Sequence, residues 1–162
     1  MKGIFSIIIL ITYVFASDLP EEFDREIYNN GEKIFDNKCN QCHEKSMPIP
    51  LLMKNFIEEN NETLKLKAPT GNEISFRLKQ QIGSKDEIDF HIMQTTDFVK
   101  DYLINPDLAK TICLEGVIRH FEVMPSMKGQ ISDEEIDDVA HFLYFLEGFN
   151  GINQFYHDET KF

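Results

Sequence analysis

The stretch GEKIFDNKCNQCH, residues 31–43, ends in two cysteines separated by two residues, with a histidine directly after the second. Those last five residues fit a zinc half-site, a redox dithiol or a point of haem attachment, and the surrounding sequence decides between them. A closed zinc site needs four Cys or His ligands, usually in two spaced pairs. Cys39 and Cys42 have no second pair to join, since Cys113 is the one other cysteine in the chain. A redox dithiol belongs at the start of a helix, where the dipole lowers the thiol pKa. Here the pair follows KIFDNK, at the end of a helical pattern, where the dipole acts in the opposite sense.

The third reading also accounts for His43. In C-x-x-C-H both thiols can add to haem vinyl groups, and the adjacent histidine is then carried to the iron as an axial ligand. That chemistry is performed outside the cytoplasm, so it requires export. Residues 1–16, MKGIFSIIILITYVFA, combine one positive charge at Lys2 with a short apolar run and small or apolar residues near the end. They read as a signal peptide cleaved after about Ala16. The run is shorter than the roughly 20 residues that cross a bilayer, so no stable membrane insertion is expected after cleavage.

With 162 residues, 42% of them hydrophobic, the chain can build one domain. Its formal charge of -12 disfavours nucleic acid and anionic lipid, and suits docking to a basic surface on a protein partner. Keeping an exported protein in solution accounts for the same charge.

Helical patterns dominate and strand alternation is absent, so the expected class is all-α. Phe23, Ile27, Ile34 and Phe35 mark two helices separated at Asn29, Asn30 and Gly31. In the second of these, Gly31, Phe35 and Cys39 recur every four residues on one face, where a small residue lets another helix approach. A short helix is expected over Leu51 to Ile57, and residues 71–89 carry no clean period. TTDFVKDYLINP reads as a helix that begins at Thr95, Thr96 or Asp97 and ends at Pro106, with a further short helix over Leu108 to His120. The final helix is the clearest: SDEE supplies a capping box from Ser132 to Glu135, and Ile136, Val139, Ala140 and Leu143 form its apolar face. It should stop near Gly148.

In three segments, taken in order, the sequence resembles the class I cytochrome c family. GEKIFDNKCNQCH looks like that family's first helix running into the haem site. VMPSMKG looks like the loop that brings a methionine to the iron. ISDEEIDDVAHFLYFLEG looks like the closing helix, which crosses the first and presents Phe142, Tyr144 or Phe145 to it. The resemblance implies a cytochrome c-like helical fold around one haem c, attached through Cys39 and Cys42, with His43 as the proximal ligand. It places Met124, which precedes a proline, at the distal position, with Met127 as the fallback. It divides the chain into the signal peptide (1–16), a cytochrome c domain (17–150) and a C-terminal tail (151–162). His43 and Met124 lie 81 positions apart, so residues from about 50 to 95 read as a long insertion, and MPIP stands where the family has Gly-Pro.

A methionine thioether favours reduced iron, and the implied function is one-electron transfer between redox proteins in the periplasm. The alternative is a catalytic haem subunit, acting on sulfur compounds or peroxide, or a haem sensor with an exchangeable sixth ligand. His91 and His120 are further candidates for that position, though a lone histidine is more often a hydrogen-bonded structural residue. Cys113, in TICLEGVI, reads as a small buried hydrophobe that retains a free thiol.

Overall fold

The computed structural model of the chain describes residues 20–146, and every regular element among them is helical. The expected signal peptide, C-terminal tail and helix stop near Gly148 lie outside the described residues.

Helix α1 (Arg25–Ile34) starts at Asp24, whose carboxylate accepts hydrogen bonds from the amides of Glu26 and Ile27. It runs straight through Asn29, Asn30 and Gly31, where the sequence pattern suggests a break, and widens into a π-helical turn over Phe35–Cys39. Packing overrides the weak local propensity: Gly31 is buried and lets α6 (Asp133–Phe145) come into backbone contact. Phe142 of α6 sits between Tyr28 and Phe35, with ring centroids at 5.1 and 5.5 Å, and Phe145 meets Phe23 at 5.3 Å. Tyr144 turns away, towards His91. The capping box at Ser132 and Glu135 forms as expected, with reciprocal bonds of 3.2 and 2.9 Å.

The middle of the chain supplies two more helices to this core. Residues 71–81, which carry no clean sequence period, form α3 (Gly71–Gln81), and α4 (Ile88–Ile104) begins several residues before the expected Thr95. Thr95 is a buried residue inside α4, its hydroxyl returned to the carbonyls of His91 and Ile92, so it caps nothing. Both helices pack against α6. The short helix expected over Leu51 to Ile57 appears as α2 (Ile49–Met53) followed by a π-helical turn over Lys54–Glu58. The helix expected from Leu108 to His120 is replaced by a 3-10 turn at Leu108–Lys110 and a four-residue α5 (Glu115–Ile118). Between them, residues 111–114 are held by Arg77, whose Nε donates to the Ile112 carbonyl at 2.7 Å.

Two apolar clusters result. The larger joins Phe35, Leu78, Val99, Ile136 and Phe142, with Cys39 and Met127 packed against it. The smaller joins Leu52, Phe56 and Val117, flanked by Met47, Leu66 and Phe121.

Candidate functional site

The π-helical turn delivers the chain to residues 39–43. The Asn40 amide reaches back to the Phe35 carbonyl, and the amides of Cys42 and His43 both donate to the Cys39 carbonyl, at 3.1 and 3.0 Å. Cys39, Cys42 and His43 are therefore presented by one closed turn. Lys38 ties the turn to the start of α6 through the Gln130 carbonyl and Glu135, each at 2.8 Å, and Lys45 ties its far side to Glu32 of α1 and Asp36 of the π-helical turn. These ion pairs are partly exposed and each contributes modestly, but together they restrict the turn from both ends.

His43 is oriented by a contact with no sequence neighbour. Its Nδ1 lies 2.7 Å from the Pro69 carbonyl oxygen, which can only accept, so Nδ1 carries the proton and Nε2 keeps its lone pair. Burial holds the imidazole's pKa below its usual value, which favours the neutral form needed in a ligand.

Pro69 is brought into place by two hydrogen-bonded loops. In the first, buried Asn55 accepts from the Leu64 amide and donates to Asn61, which in turn bonds the backbone of Leu66. Asn60 and Asn61 adopt left-handed backbone conformations (φ 50 and 59), which asparagine tolerates better than most residues. In the second, the Gly71 and Asn72 amides donate to the carbonyls of Glu44 and Lys45, and the Asn72 side chain brackets Met47. A Cβ at Gly71 would lie 2.6 Å from the Lys45 oxygen and 3.2 Å from the Phe35 ring, so only glycine fits there. MPIP does not carry the histidine's partner. Sequence reasoning missed Pro69, Gly71 and Asn72, and the local signal for them was the APTGN run at 68–72.

The thiols differ. Cys39 is half-buried in the larger cluster, and burial pushes it up to about 11, while Cys42 is exposed. Burial therefore disfavours a Cys39 thiolate near neutral pH. Among the described residues no group of three or more Cys, His, Asp or Glu side chains is arranged to hold a metal ion. Cys113 lies instead beside Glu73 and Arg77, pushed up to about 12 by burial and then by Glu73.

The loop expected to carry the distal methionine is anchored at one end. The Met127 amide donates to the Leu103 carbonyl at 2.8 Å, Ser126 bonds the Ile104 carbonyl at 2.6 Å, and the Met127 side chain packs on the larger cluster. Met124 is half-buried and belongs to neither cluster. Of the expected site, the structure gathers Cys39, Cys42 and His43 in one turn and sets Met127 against the same cluster as Cys39. His91 is committed, with its ring nitrogens 2.9 Å from the Tyr144 hydroxyl and 2.9 Å from the Ile82 carbonyl. His120 stacks on Phe56 at 5.6 Å, and its Nε2 accepts from Arg119 at 3.3 Å.

Glu73, in the first turn of α3, also escaped the sequence reading. It is 8% exposed, and both carboxyl oxygens lack a hydrogen-bond partner. Burial raises its pKa to about 7; Arg77 and the Thr70 amide oppose the shift, but neither reaches an oxygen in hydrogen-bond geometry. A carboxyl raised this way favours folding fully below about pH 4.5 and loses that contribution as pH rises through about 7. Glu73→Gln should therefore be more stable than the parent at pH 8, by roughly 3 kcal/mol, with the gap closing towards pH 4.5. Denaturant titrations at the two pH values check this, and an equal gap at both would count against a buried titrating carboxyl.

The chain is similar to an uncharacterized protein of Aquifex aeolicus (strain VF5), with 31% identity over 122 residues, covering 75% of this chain and 76% of the relative. The chain belongs to that protein's family. The likeness extends over three quarters of both chains. No family model matches the sequence, and no solved structure matches it. Among the described residues no helix is long and apolar enough to cross a membrane.

Proposed function

We propose that this family member is an exported monohaem c-type cytochrome of class I type, carrying single electrons between redox proteins in the periplasm. The observation that carries the reading is the bond from His43 Nδ1 to the Pro69 carbonyl, in the same turn as two free thiols. It fixes the tautomer and leaves Nε2 available as a ligand, a feature that neither a dithiol nor a packing histidine needs. The residues fit the group: Cys39 and Cys42 would attach one haem c, His43 would supply the proximal nitrogen, and Met124 the distal sulfur, with Met127 as the fallback. When bound, the haem supplies a single reversible one-electron centre.

The chain's own part is positional. Pro69, held by Asn72 and the Asn55–Asn61 loop, fixes the imidazole. The larger apolar cluster keeps water from the side on which Cys39 lies. The net charge of -12 would steer a basic partner at salt-dependent rates.

A second reading, a haem-containing catalytic subunit acting on sulfur compounds or peroxide, or a haem sensor, draws on Met124 lying outside both clusters, which suits an exchangeable sixth ligand. The deciding measurement is the ferric absorption spectrum of the purified protein, followed by carbon monoxide addition to the reduced form. A weak far-red band with no carbon monoxide binding is expected. Met124→Ala should abolish that band and admit carbon monoxide, whereas Met127→Ala should keep the band. The reverse pattern makes Met127 the ligand, and a band-free parent that binds carbon monoxide replaces the carrier with the second reading.

A further inference from the structure

The buried acid on α3 has no place in a simple electron carrier. Glu73 is the third residue of α3, a helix that begins two residues after Pro69, whose carbonyl holds His43. Ile74, beside it in the chain, packs on the cluster that includes Cys39 and Met127. Glu73 therefore occupies the same end of α3 that builds the proximal side of the site.

The groups around Glu73 isolate it. On its own helix Arg77 is the nearby cation, but the guanidinium is already committed to the Ile112 carbonyl and to Gln80, at 2.7 and 2.8 Å. From residues 111–114 the Cys113 thiol lies within electrostatic reach of Glu73, and of Tyr102 on α4. Helix α6 and Leu146 just after it meet α3 through the Tyr144 ring at Lys79 and Leu146 at Gly71, and add no charged group to those acting on Glu73. The Ser75 hydroxyl, also on α3, is buried without a hydrogen-bond partner. A carboxyl kept from water, with neither oxygen hydrogen-bonded and on the helix end that abuts the His43 turn, is well placed to change protonation with a centre there whose charge changes by one.

We propose that Glu73 is a redox-linked proton site: its carboxyl takes one proton from solvent, forming an O–H bond, when the haem iron takes one electron from a one-electron donor, and releases that proton on oxidation. The inference rests on the proposed function. Ionised Glu73 stabilises the ferric charge and lowers the potential, and neutral Glu73 does not. The potential should be flat at acid pH and fall across neutrality, at a slope approaching 59 mV per pH unit, the equivalent of a tenfold change in equilibrium constant for one electron.

The test is a potentiometric titration of the haem-loaded protein between about pH 5 and 9, with Glu73→Gln beside it, and a reduced-minus-oxidised infrared difference spectrum of the parent. The expected result is a pH-dependent parent and a variant held at the parent's acid plateau. The infrared spectrum should gain the carbonyl stretch of a protonated carboxyl on reduction, shifted in heavy water. A flat parent potential, or a variant as pH-dependent as the parent, overturns the proposal while leaving the haem reading intact. If the variant does not fold, the infrared spectrum decides, and absence of the carboxyl band overturns the proposal. A protein that emerges from a haem-attachment host without haem overturns both readings.

Discussion

Gly31→Ala should destabilise the fold by about 3 kcal/mol or more, at the upper end of what overpacking costs. A Cβ at this position would run into the Asp138 carbonyl oxygen of α6 and would stand 2.7 Å from both the Asp138 carbonyl carbon and the Phe142 Cβ. Two of those three atoms belong to the backbone, so no side-chain rotation relieves the clash. The helices must separate, and separation opens the Tyr28–Phe142 and Phe35–Phe142 contacts as well as the bond from the Asp24 amide to His141. Gly116→Ala is the control: its new methyl would meet Ile57 at 3.4 Å, an ordinary contact, and alanine suits α5 better than glycine. Urea denaturation should show a large loss for the first variant and little change or a small gain for the second. Equal midpoints for Gly31→Ala and the parent would mean that α1 and α6 do not cross this closely.

The paired change Cys39→Ala with Cys42→Ala should remove covalently held haem completely. Each thiol would make one thioether bond, and without either the group would be held only by His43, the distal methionine and apolar contact. The pair is chemically unequal, since Cys39 packs on the larger cluster and Cys42 stands exposed. Single changes should therefore leave one-bond products, with Cys39→Ala the more damaging to the fold. Cys113→Ala should retain full attachment, because Cys113 lies beside Glu73 and Arg77 rather than in the 39–43 turn. Haem-linked peroxidase staining after denaturing electrophoresis reads the parent and all four variants. Covalent haem in the paired variant would remove these thiols from the attachment chemistry, and a parent without stain would remove the proposed function.

The two ends of the folded region were legible because their signals are local. Ser132, Asp133, Glu134 and Glu135 are consecutive, so a capping box can be read from spacing alone, and it forms. CNQCH is likewise contiguous, and the turn it makes follows from backbone bonds within five residues. The middle was less legible. Thr95 looked like a helix start because threonine commonly caps, yet its hydroxyl found carbonyls inside a longer helix. Asn29, Asn30 and Gly31 looked like a break because each is a poor helix former alone, and contact with α6 outweighs that preference.

The sequence by itself determined the helical class, the closing helix with its cap, and the turn that presents two thiols and a histidine, since each depends on residues within a few positions of one another. Only the tertiary structure decided which atom of His43 is free. Its partner, Pro69, lies 26 residues away behind a loop held by asparagine side chains, and a carbonyl oxygen carries no residue-specific mark in a sequence. The same holds for Glu73, an ordinary N-terminal helix acid by sequence, whose chemistry comes from the burial that surrounding helices and the 111–114 segment impose on it.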